Sequence, residues 1–316
     1  RGQGGFSVGA LCYALLNVLS QLSKEPDGSY AYSLPSVILL AELTKLCISA
    51  GYLVKDVGAR GAVQLVARTR LTTWGLFAVP SVLYAVNNNL DMVNNLYMDP
   101  ATESVLVQGK ILTTSVMWRI VFKKRLGAAK WVSLALLFAG CSGAGWPTPT
   151  GREVPDTMFI RPLGVLLVVV HCHVSSLAGV FNEWLYLGTG EGESIHLCNI
   201  RIYVVGILFC LLSHLAGGGG LSPAALCRGY NAYTWALVAT YSLMGLLLAQ
   251  IIKRFGSIVK LFLSGSSVYF SSALTFVLFG RTPTLLFVAS MVLVTCALFM
   301  FNYENIKPLW ARTHQE

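Results

Sequence analysis

The stretch that decides the fold is residues 162–187, PLGVLLVVVHCHVSSLAGVFNEWLYL. It contains a single charged residue, Glu183, among its 26 positions. An α-helix needs about 20 predominantly apolar residues to cross the roughly 30 Å hydrocarbon core of a bilayer. A segment of this length and polarity is therefore predicted to cross a membrane as one helix.

Similar segments recur along the whole chain of 316 residues, of which 55% are hydrophobic and 12% are charged. Soluble domains carry about 25% charged residues, so much of a solvated surface is missing. A segment inside a bilayer must satisfy its own backbone hydrogen bonds, which favours helices. We therefore predict an all-α polytopic membrane protein, and the first apolar block is interpreted as a span rather than as a cleavable signal peptide. The ten predicted spans lie near 6–23, 34–54, 73–92, 101–122, 127–146, 162–187, 197–216, 232–253, 257–279 and 283–302.

The basic residues in the loops, the tails and the edges of these spans are unevenly distributed between the two sides of the membrane. If both termini are cytoplasmic, the cytoplasmic side holds 13 lysines and arginines and the opposite side holds five. Because cytoplasmic loops are enriched in basic residues, both termini are predicted to be cytoplasmic. The net charge of +9 arises from these short runs rather than from a basic stripe with interleaved aromatic residues, so no nucleic-acid partner is expected. The eight cysteines show no paired or metal-binding spacing, so no metal site or cofactor is expected.

Ten spans divide into two sets of five within a single transmembrane domain that covers residues 1–316. The first repeat would cover about 6–146 and the second about 162–302. A repeat with an odd number of spans places its second copy upside down in the membrane. Transporters with such inverted repeats bind their substrates near the bilayer midplane, at the interface between the repeats. The sequence therefore predicts an inverted 5+5 repeat.

Several ionisable residues fall within predicted spans, where a charge is costly unless it faces a cavity or a partner. Arg119 and Arg201 lie about one turn from the membrane edge, so their side chains are interpreted as reaching the interface. The same interpretation stays open for Lys260. Lys110 lies in the middle of its span, near Gln108 and a run of hydroxyl side chains. It therefore has no short route to the interface, which favours a cavity.

Glu42 and Lys45 are three residues apart on the second predicted span and share a helix face. We predict that they form an ion pair. The pair is interpreted either as a buried structural contact or as part of the wall of a substrate path.

Six groups of motifs occur in one order between about residues 8 and 303. They are Glu42-Leu-Thr-Lys45, Pro80 to Asn89, Tyr97-Met-Asp-Pro100 with Gln108 to Thr114, Ser175 to Glu183, Asn199-Ile-Arg-Ile-Tyr203, and Lys253 to Lys260 with Phe279-Gly280. Together they resemble the nucleotide-sugar transporter family. That family includes the carriers of CMP-sialic acid, UDP-galactose and UDP-N-acetylglucosamine, and the branch most similar to this sequence is the one assigned to UDP-sugars. The resemblance implies ten helices, the drug/metabolite-transporter fold, a Golgi or endoplasmic reticulum membrane, and exchange of a nucleotide-sugar for a nucleoside monophosphate.

The resemblance also implies the residues that contact the substrate. Lysines suit the phosphates of a polyanionic substrate, amides suit a base edge, and Tyr203 suits stacking on a base or a bond to the ribose. Asparagine and tyrosine side chains within spans also often only bridge helices, and that alternative stays open for them. The predicted substrate-binding residues are Lys110, Lys260, Asn199, Tyr203, Asn88, Asn89, Glu103, Gln108, Glu42 and Lys45.

Some positions depart from the family pattern, and they bear on base and sugar specificity. Glu103 and Val107 stand where two tyrosines often occur, and Trp184 stands where the family has a lysine. Arg201 replaces a glutamine, and Gly256-Ser257 replaces an acidic residue and an amide. A negative Glu103 near a phosphate is unfavourable unless it pairs with Lys110 or Lys260.

Alternative functions are a non-transporting scaffold for glycosyltransferases, or a carrier of another substrate such as CMP-sialic acid, a sugar phosphate or a drug. The expected protein partners are a second copy of the chain or a glycosyltransferase. An integral-membrane enzyme is disfavoured, because His171 and His173 stand in an apolar helix without acidic partners nearby.

Overall fold

The structure is a computed structural model that describes residues 2–25, 30–97, 103, 105–145, 162–188, 193–279 and 285–313. Within these residues all regular secondary structure is helical. A 3₁₀ turn, Val107–Gly109, precedes α4, and a single helical turn, Pro223–Leu226, lies between α7 and α8. The ten long helices of the described ranges are α1 (Gly2–Leu22), α2 (Leu34–Ala67), α3 (Leu71–Tyr97), α4 (Lys110–Phe122), α5 (Ala128–Gly145), α6 (Pro162–Gly188), α7 (Ile195–Ala216), α8 (Ala232–Phe255), α9 (Ser257–Phe279) and α10 (Leu285–Thr313).

Four of these helices, α2, α6, α7 and α8, are long and apolar enough to cross a membrane. They contain the predicted spans near 34–54, 162–187, 197–216 and 232–253. Shorter apolar stretches lie in α1, α3, α5 and α10. The prediction of an all-α membrane protein with several spans is therefore confirmed, whereas the number of ten spans and the inverted repeat stay predictions.

Helix α2 continues to Ala67, beyond the end of the second predicted span near residue 54. Gly58 interrupts its helical geometry with φ 75° and ψ 161°, a backbone conformation that residues with a side chain rarely adopt. After this break, Ala62 is buried in one cluster with Leu53 of α2 and Leu197 and Ile200 of α7. Gly58 thus turns the end of α2 so that it still packs on α7.

The chain forms two compact units, and their residues do not coincide with those of the two predicted repeats. Unit 1 comprises residues 1–85 and 181–260, and unit 2 comprises residues 86–180 and 261–316. In unit 1, α2 packs against α7 and α8, and α1 packs against α8. In unit 2, α5 packs against α10 and α4. Each unit therefore draws helices from both halves of the sequence.

Two glycines on α5 allow the close approach of α10 within unit 2. A Cβ atom on Gly140 would lie 2.7 Å from Cγ2 of Val294, and one on Gly143 would overlap the Ser290 hydroxyl. Small residues at such positions let helices pack by direct backbone contact where water supplies no hydrophobic driving force. This packing places the body of unit 2 around α5 and α10.

Candidate functional site

A buried ion pair lies inside unit 1, where α2 packs on α7. Lys45, only 8% exposed, donates a hydrogen bond of 2.6 Å to Glu42 one turn earlier on α2. The same ammonium lies 4.6 Å from the ring centroid of Tyr203 on α7. The predicted Glu42–Lys45 pair is confirmed, and its cation also faces an aromatic ring, an arrangement that stabilises a desolvated charge.

Glycines on two neighbouring helices make room for this pair. A Cβ atom on Gly245 of α8 would lie 2.6 Å from Cδ of Lys45 and 3.0 Å from its Nζ. A Cβ atom on Gly206 of α7 would lie 3.4 Å from Oε2 of Glu42. The pair is therefore enclosed by α2, α7 and α8, and larger side chains at either glycine would press on it.

Two predicted contact residues on α7 differ in how far the protein itself satisfies them. Asn199 is buried, and its Oδ1 accepts a hydrogen bond of 2.9 Å from the hydroxyl of Tyr186 on α6. Tyr203 is 4% exposed, and within the described residues its hydroxyl has no hydrogen-bond partner. Sequence reasoning missed Tyr186, because a tyrosine near the end of an apolar helix carries no signal of its partner. An unsatisfied buried hydroxyl costs free energy, so Tyr203 is the group of this cluster most suited to an added partner.

Lys260, on α9, is half-buried and faces aromatic rings of unit 1. Its ammonium lies 5.6 Å from the ring centroid of Tyr84 on α3, and Tyr13 of α1 is within electrostatic range. Among the described residues Lys260 forms no ion pair. Tyr84 lies inside the Pro80–Asn89 motif. The motif therefore includes a residue that contacts Lys260, although Tyr84 itself was not among the predicted site residues.

The start of α9 is held by a carboxylate from α6. Oε2 of buried Glu183 accepts hydrogen bonds of 2.6 Å from both the backbone N–H and the hydroxyl of Ser257. Gly256 has φ 86°, and a Cβ atom there would lie 2.8 Å from Oε1 of Glu183. A carboxylate at a helix N-terminus satisfies unpaired N–H groups and complements the helix dipole. The Gly256-Ser257 departure from the family pattern therefore supplies both the space and the donor for this cap.

The predicted interfacial position of Arg201 needs a correction. Its side chain does extend toward the loop end of α7, but it is 3% exposed and ends on protein groups rather than in water. The guanidinium donates to both carboxylate oxygens of Glu193 at 2.6 and 3.1 Å, and to the Thr69 hydroxyl at 3.1 and 3.3 Å. A bidentate pair of this kind is geometrically specific. The loop residues Glu193 and Thr69 explain why the arginine can be buried. Arg119, by contrast, is exposed as expected.

In unit 2, Lys110 is the first residue of α4 and follows directly after the 3₁₀ turn Val107–Gly109. Its side chain is half-buried. The hydroxyls of Thr113 and Thr114 contact the Ser176 hydroxyl of α6 at 2.6 and 2.9 Å, and Ser176 donates to the Lys110 carbonyl at 3.4 Å. These hydroxyls, expected to surround the lysine, therefore fix the start of α4 on α6.

An amide from α3 links His171 to a carboxylate, which qualifies the expectation that no acidic partner lies nearby. The Asn94 amide nitrogen on α3 lies 3.1 Å from Nδ1 of His171 and donates to Oε1 of Glu103 at 3.4 Å. Asn94 thus links the imidazole to a carboxylate that is far away in the sequence. His173 is exposed, and its Nδ1 contacts the Val169 carbonyl at 2.7 Å.

The remaining predicted residues are located less fully. Asn88 and Asn89 belong to α3, but their side chains lie outside the described part of the structure. Gln108 is half-buried in the 3₁₀ turn. Lys110 and Lys260 belong to different units, and their shared substrate path stays a prediction. Across the described residues no cluster of three or more metal-ligating side chains occurs.

A cavity of about 150 Å³ lies between α4 and α6 in unit 2. Ligand pockets usually measure about 300–1,000 Å³, so it is too small for a nucleotide. Its lining is apolar and contains none of the predicted substrate-binding residues: Leu106, Gly109, Thr113, Val165, Val168, Val169, Cys172 and His173.

Comparison with known proteins identifies the family. The sequence pattern of the family described as "Nucleotide-sugar transporter" matches residues 8–302. The chain belongs to the nucleotide-sugar transporter family. This transporter is 32% identical over 272 residues to a Danio rerio protein named "Probable UDP-sugar transporter protein SLC35A4", with 85% of this chain and 84% of the relative covered. The Homo sapiens protein of the same name is 31% identical over 287 residues, with 87% and 86% covered.

A plant relative carries a different name. "CMP-sialic acid transporter 1" of Oryza sativa subsp. japonica is 28% identical over 291 residues, with 90% of this transporter and 88% of the relative covered. A solved crystal structure of a protein superposes with a TM-score of 0.65 over 98% of each chain at 14% identity. That likeness shows the fold alone. The named relatives are transporters, and the family membership expected from the sequence is confirmed.

Proposed function

We propose that this transporter carries a UDP-sugar from the cytosol into the lumen of the Golgi apparatus or endoplasmic reticulum, in exchange for a nucleoside monophosphate. The proposal includes ten spans in an inverted 5+5 repeat, both termini in the cytosol, and alternating access of one site to the two sides. Its support is the family membership, together with the names of the Danio rerio and Homo sapiens relatives.

The observation that carries the proposal is the environment of Lys260. A lysine within an apolar helix is costly unless it meets an anion or water. The ring and the hydrogen-bonding hydroxyl of Tyr84, with Tyr13 in electrostatic range, stabilise an ammonium only partly, and the described residues offer it no carboxylate. A phosphate group of a substrate would supply the missing negative charge. Lys260 is therefore proposed to bind a substrate phosphate.

The other predicted residues are assigned complementary roles. Lys110 binds a phosphate as well, in line with its place at the start of α4 directly after a break in regular helix. The unsatisfied Tyr203 hydroxyl binds the ribose or the base. Asn199 reads the base edge through its amide, Asn88, Asn89 and Gln108 line the path, and the Glu42–Lys45 pair forms part of its wall.

Uptake by proteoliposomes tests this proposal. Vesicles loaded with UMP should take up a labelled UDP-sugar, and Lys110→Ala or Lys260→Ala should abolish uptake at unchanged expression and thermal stability. Lys→Arg at either position should also transport poorly, because a planar guanidinium does not replace a compact ammonium. Lys124→Ala is the matched control, since Lys124 is exposed in the loop after α4. Normal uptake by both alanine variants would sink the assignment of the lysines.

The plant relative favours CMP-sialic acid as the second candidate substrate. A thermal-shift series with UMP, CMP, GMP, AMP and their sugar conjugates distinguishes the two. A ligand that binds only the folded state stabilises it by RT ln(1 + [L]/Kd), so the correct nucleotide should give the largest shift. A larger shift with CMP than with UMP would reject the UDP-sugar assignment. No shift with any nucleotide, combined with co-purification of a glycosyltransferase, would indicate the scaffold function instead.

A further inference from the structure

Unit 2 contains a polar triad, Asn94–His171–Glu103. The proposed transport cycle gives no role to the histidine and the asparagine of this triad. Asn94 is 0% exposed and His171 is 2% exposed. The Asn94 amide nitrogen contacts Nδ1 of His171 at 3.1 Å and Oε1 of Glu103 at 3.4 Å. Within the described residues, the Asn94 carbonyl oxygen has no hydrogen-bond partner.

These contacts define one protonation state of the triad. An amide nitrogen carries two hydrogens, and here one points to the imidazole and the other to the carboxylate. Nδ1 of His171 must therefore accept, which places the proton of a neutral imidazole on Nε2. With Glu103 as the ionised carboxylate, which also accepts from the amide, the triad carries one negative charge. This arrangement leaves the carbonyl oxygen of Asn94 without a donor. That costs free energy, because a buried acceptor has lost its hydration.

We infer that the Asn94–His171–Glu103 triad is a proton-binding site within the membrane domain. When Glu103 takes up one proton from water, its new O–H becomes a donor. A half-turn of the Asn94 amide then places the carbonyl oxygen where the nitrogen was, and this oxygen accepts from Glu103. The imidazole gives its Nε2 proton to a water molecule and takes one from water at Nδ1, so that it donates to the same oxygen and stays neutral. The sum is one proton gained and a change of charge from −1 to 0.

The amide makes this site suited to two states. An asparagine side chain offers two donors at one end and two acceptor sites at the other. The NH2 group can donate to a carboxylate and to the acceptor nitrogen of a neutral imidazole. The carbonyl oxygen can accept from a carboxylic acid and from an imidazole N–H. Either state satisfies all three hydrogen-bonding faces that meet at the centre of the triad. A single proton therefore decides between two arrangements that are both bonded at the centre and that both leave the outer end of the Asn94 amide without a partner among the described residues.

The charged and titratable groups around the triad come from four elements. Lys110 of α4 is within electrostatic range of Cys141 on α5 and Cys172 on α6, and Cys172 is also within range of Glu103. On α3, Asp91 stands three residues before Asn94 in the sequence, and its side chain lies outside the described part of the structure. On α6, His173 is exposed and bonded to the backbone. Lys110 and the carboxylate that proton uptake neutralises are thus both within electrostatic range of the Cys172 thiol.

This placement links the proton to the substrate, a step that rests on the proposed phosphate-binding role of Lys110. A negative Glu103 in that neighbourhood opposes an approaching phosphate, and protonation removes this repulsion. Linkage is reciprocal, so substrate binding must favour proton uptake as much as proton uptake favours binding. The carrier is then expected to bind its nucleotide more tightly in acid and to take up a proton when it binds.

Infrared difference spectroscopy of the substrate-free protein tests the proton site by itself. As the pH is lowered from about 8 to about 4, a range that extends to the ordinary pKa of a glutamic acid, a protonated-carboxyl band should appear. The carboxyl band should be absent from Glu103→Gln and shifted in frequency in Asn94→Ala. Imidazole bands should change together with the carboxyl band in the wild type, and they should not change in His171→Gln. Identical difference spectra for the wild type and Glu103→Gln would overturn the inference.

Proton uptake during binding of UMP in weakly buffered solution tests the link. About one proton per UMP is expected for the wild type from a single titrating carboxyl, and none for Glu103→Gln, which should still bind UMP. If UMP binds the wild type without proton uptake, the link fails and the transport proposal stands. If no nucleotide binds although the carboxyl band titrates, the transport proposal fails and the proton site stands.

Discussion

The carboxylate of Glu183 on α6 accepts two hydrogen bonds of 2.6 Å from Ser257, the first residue of α9. Lys260 follows three residues later, one helical turn into the same helix. The cap therefore fixes the start of the helix that carries the lysine proposed to bind phosphate. In this way a buried acid on α6 positions the first turn of the helix that carries Lys260.

Glu183→Gln should lower the stability of the protein by about 1–3 kcal/mol, because the charge-assisted acceptor at the helix start is replaced by a neutral amide. Ser257→Ala should have a smaller effect, since the backbone N–H still reaches the carboxylate. Thermal unfolding in detergent measures both. Asp56→Asn is a suitable control, because Asp56 is an exposed acid on α2. Equal stability of Glu183→Gln and Asp56→Asn would contradict the capping role.

The Glu42–Lys45 pair predicts non-additive effects of mutation. Glu42→Gln or Lys45→Met alone leaves one buried charge without its partner, which costs about 3–5 kcal/mol for a fully buried pair. The double variant removes both charges and should be less destabilised than the sum of the single variants. Thermal unfolding of the wild type and the three variants measures the coupling. Strictly additive effects would mean that the 2.6 Å contact contributes nothing to stability.

Gly245 tests how tightly the same pair is enclosed. Gly245→Ala should destabilise the protein and weaken the pair, because the new Cβ would lie 2.6 Å from Cδ of Lys45. Gly51→Ala on α2 is the matched control, since a Cβ there meets nothing within 4 Å. It should stabilise the helix by up to about 1 kcal/mol, the usual difference between glycine and alanine. If the two variants unfold at the same temperature, α8 is not pressed against Lys45.

The contacts that could be predicted from the sequence are mainly local. Glu42 and Lys45 are one turn apart on one helix, so helical periodicity alone predicted their contact. Helices such as the one at 162–187 could be predicted because a membrane span is a long apolar run within a single segment of the chain. The resemblance located α3, α4, α7 and α9 as the helices that carry the predicted substrate residues.

The contacts that could not be predicted join distant segments. Glu183 meets Ser257 and Asn94 meets His171, 74 and 77 residues away in the chain. Arg201 lies near a helix end, which predicts a water-exposed head, yet Glu193 and Thr69 bind it inside the protein. Side-chain partners of this kind depend on which helices pack together, and periodicity within one segment carries no information about that.

The bias of basic residues predicts that a tag after Glu316 faces the cytosol. In sealed Golgi or endoplasmic reticulum vesicles with the native orientation, such a tag should be digested by added protease without detergent. A tag inserted after Leu221, in the exposed and oppositely facing loop after α7, should be protected under the same conditions. The reverse result, protection of the terminal tag and digestion of the loop tag, would invert the topology.

Tyr203 and Tyr186 form a matched pair for the last prediction, because both are buried tyrosines of unit 1. Tyr186→Phe removes the donor to Oδ1 of Asn199 and should destabilise the protein by about 1–3 kcal/mol, since a buried acceptor loses its partner. Tyr203→Phe removes a hydroxyl that has no partner within the described residues, so stability should be unchanged or slightly higher.

Binding then separates structure from function at these two positions. If the Tyr203 hydroxyl contacts the nucleotide, Tyr203→Phe should weaken binding of UMP by about tenfold, equivalent to about 1.4 kcal/mol, while its melting temperature is maintained. Titration calorimetry and thermal unfolding of the same preparations measure the two effects. A Tyr203→Phe protein that is as stable and binds UMP as tightly as the wild type would remove Tyr203 from the substrate site, because an unsatisfied hydroxyl that also meets no ligand has no role in recognition.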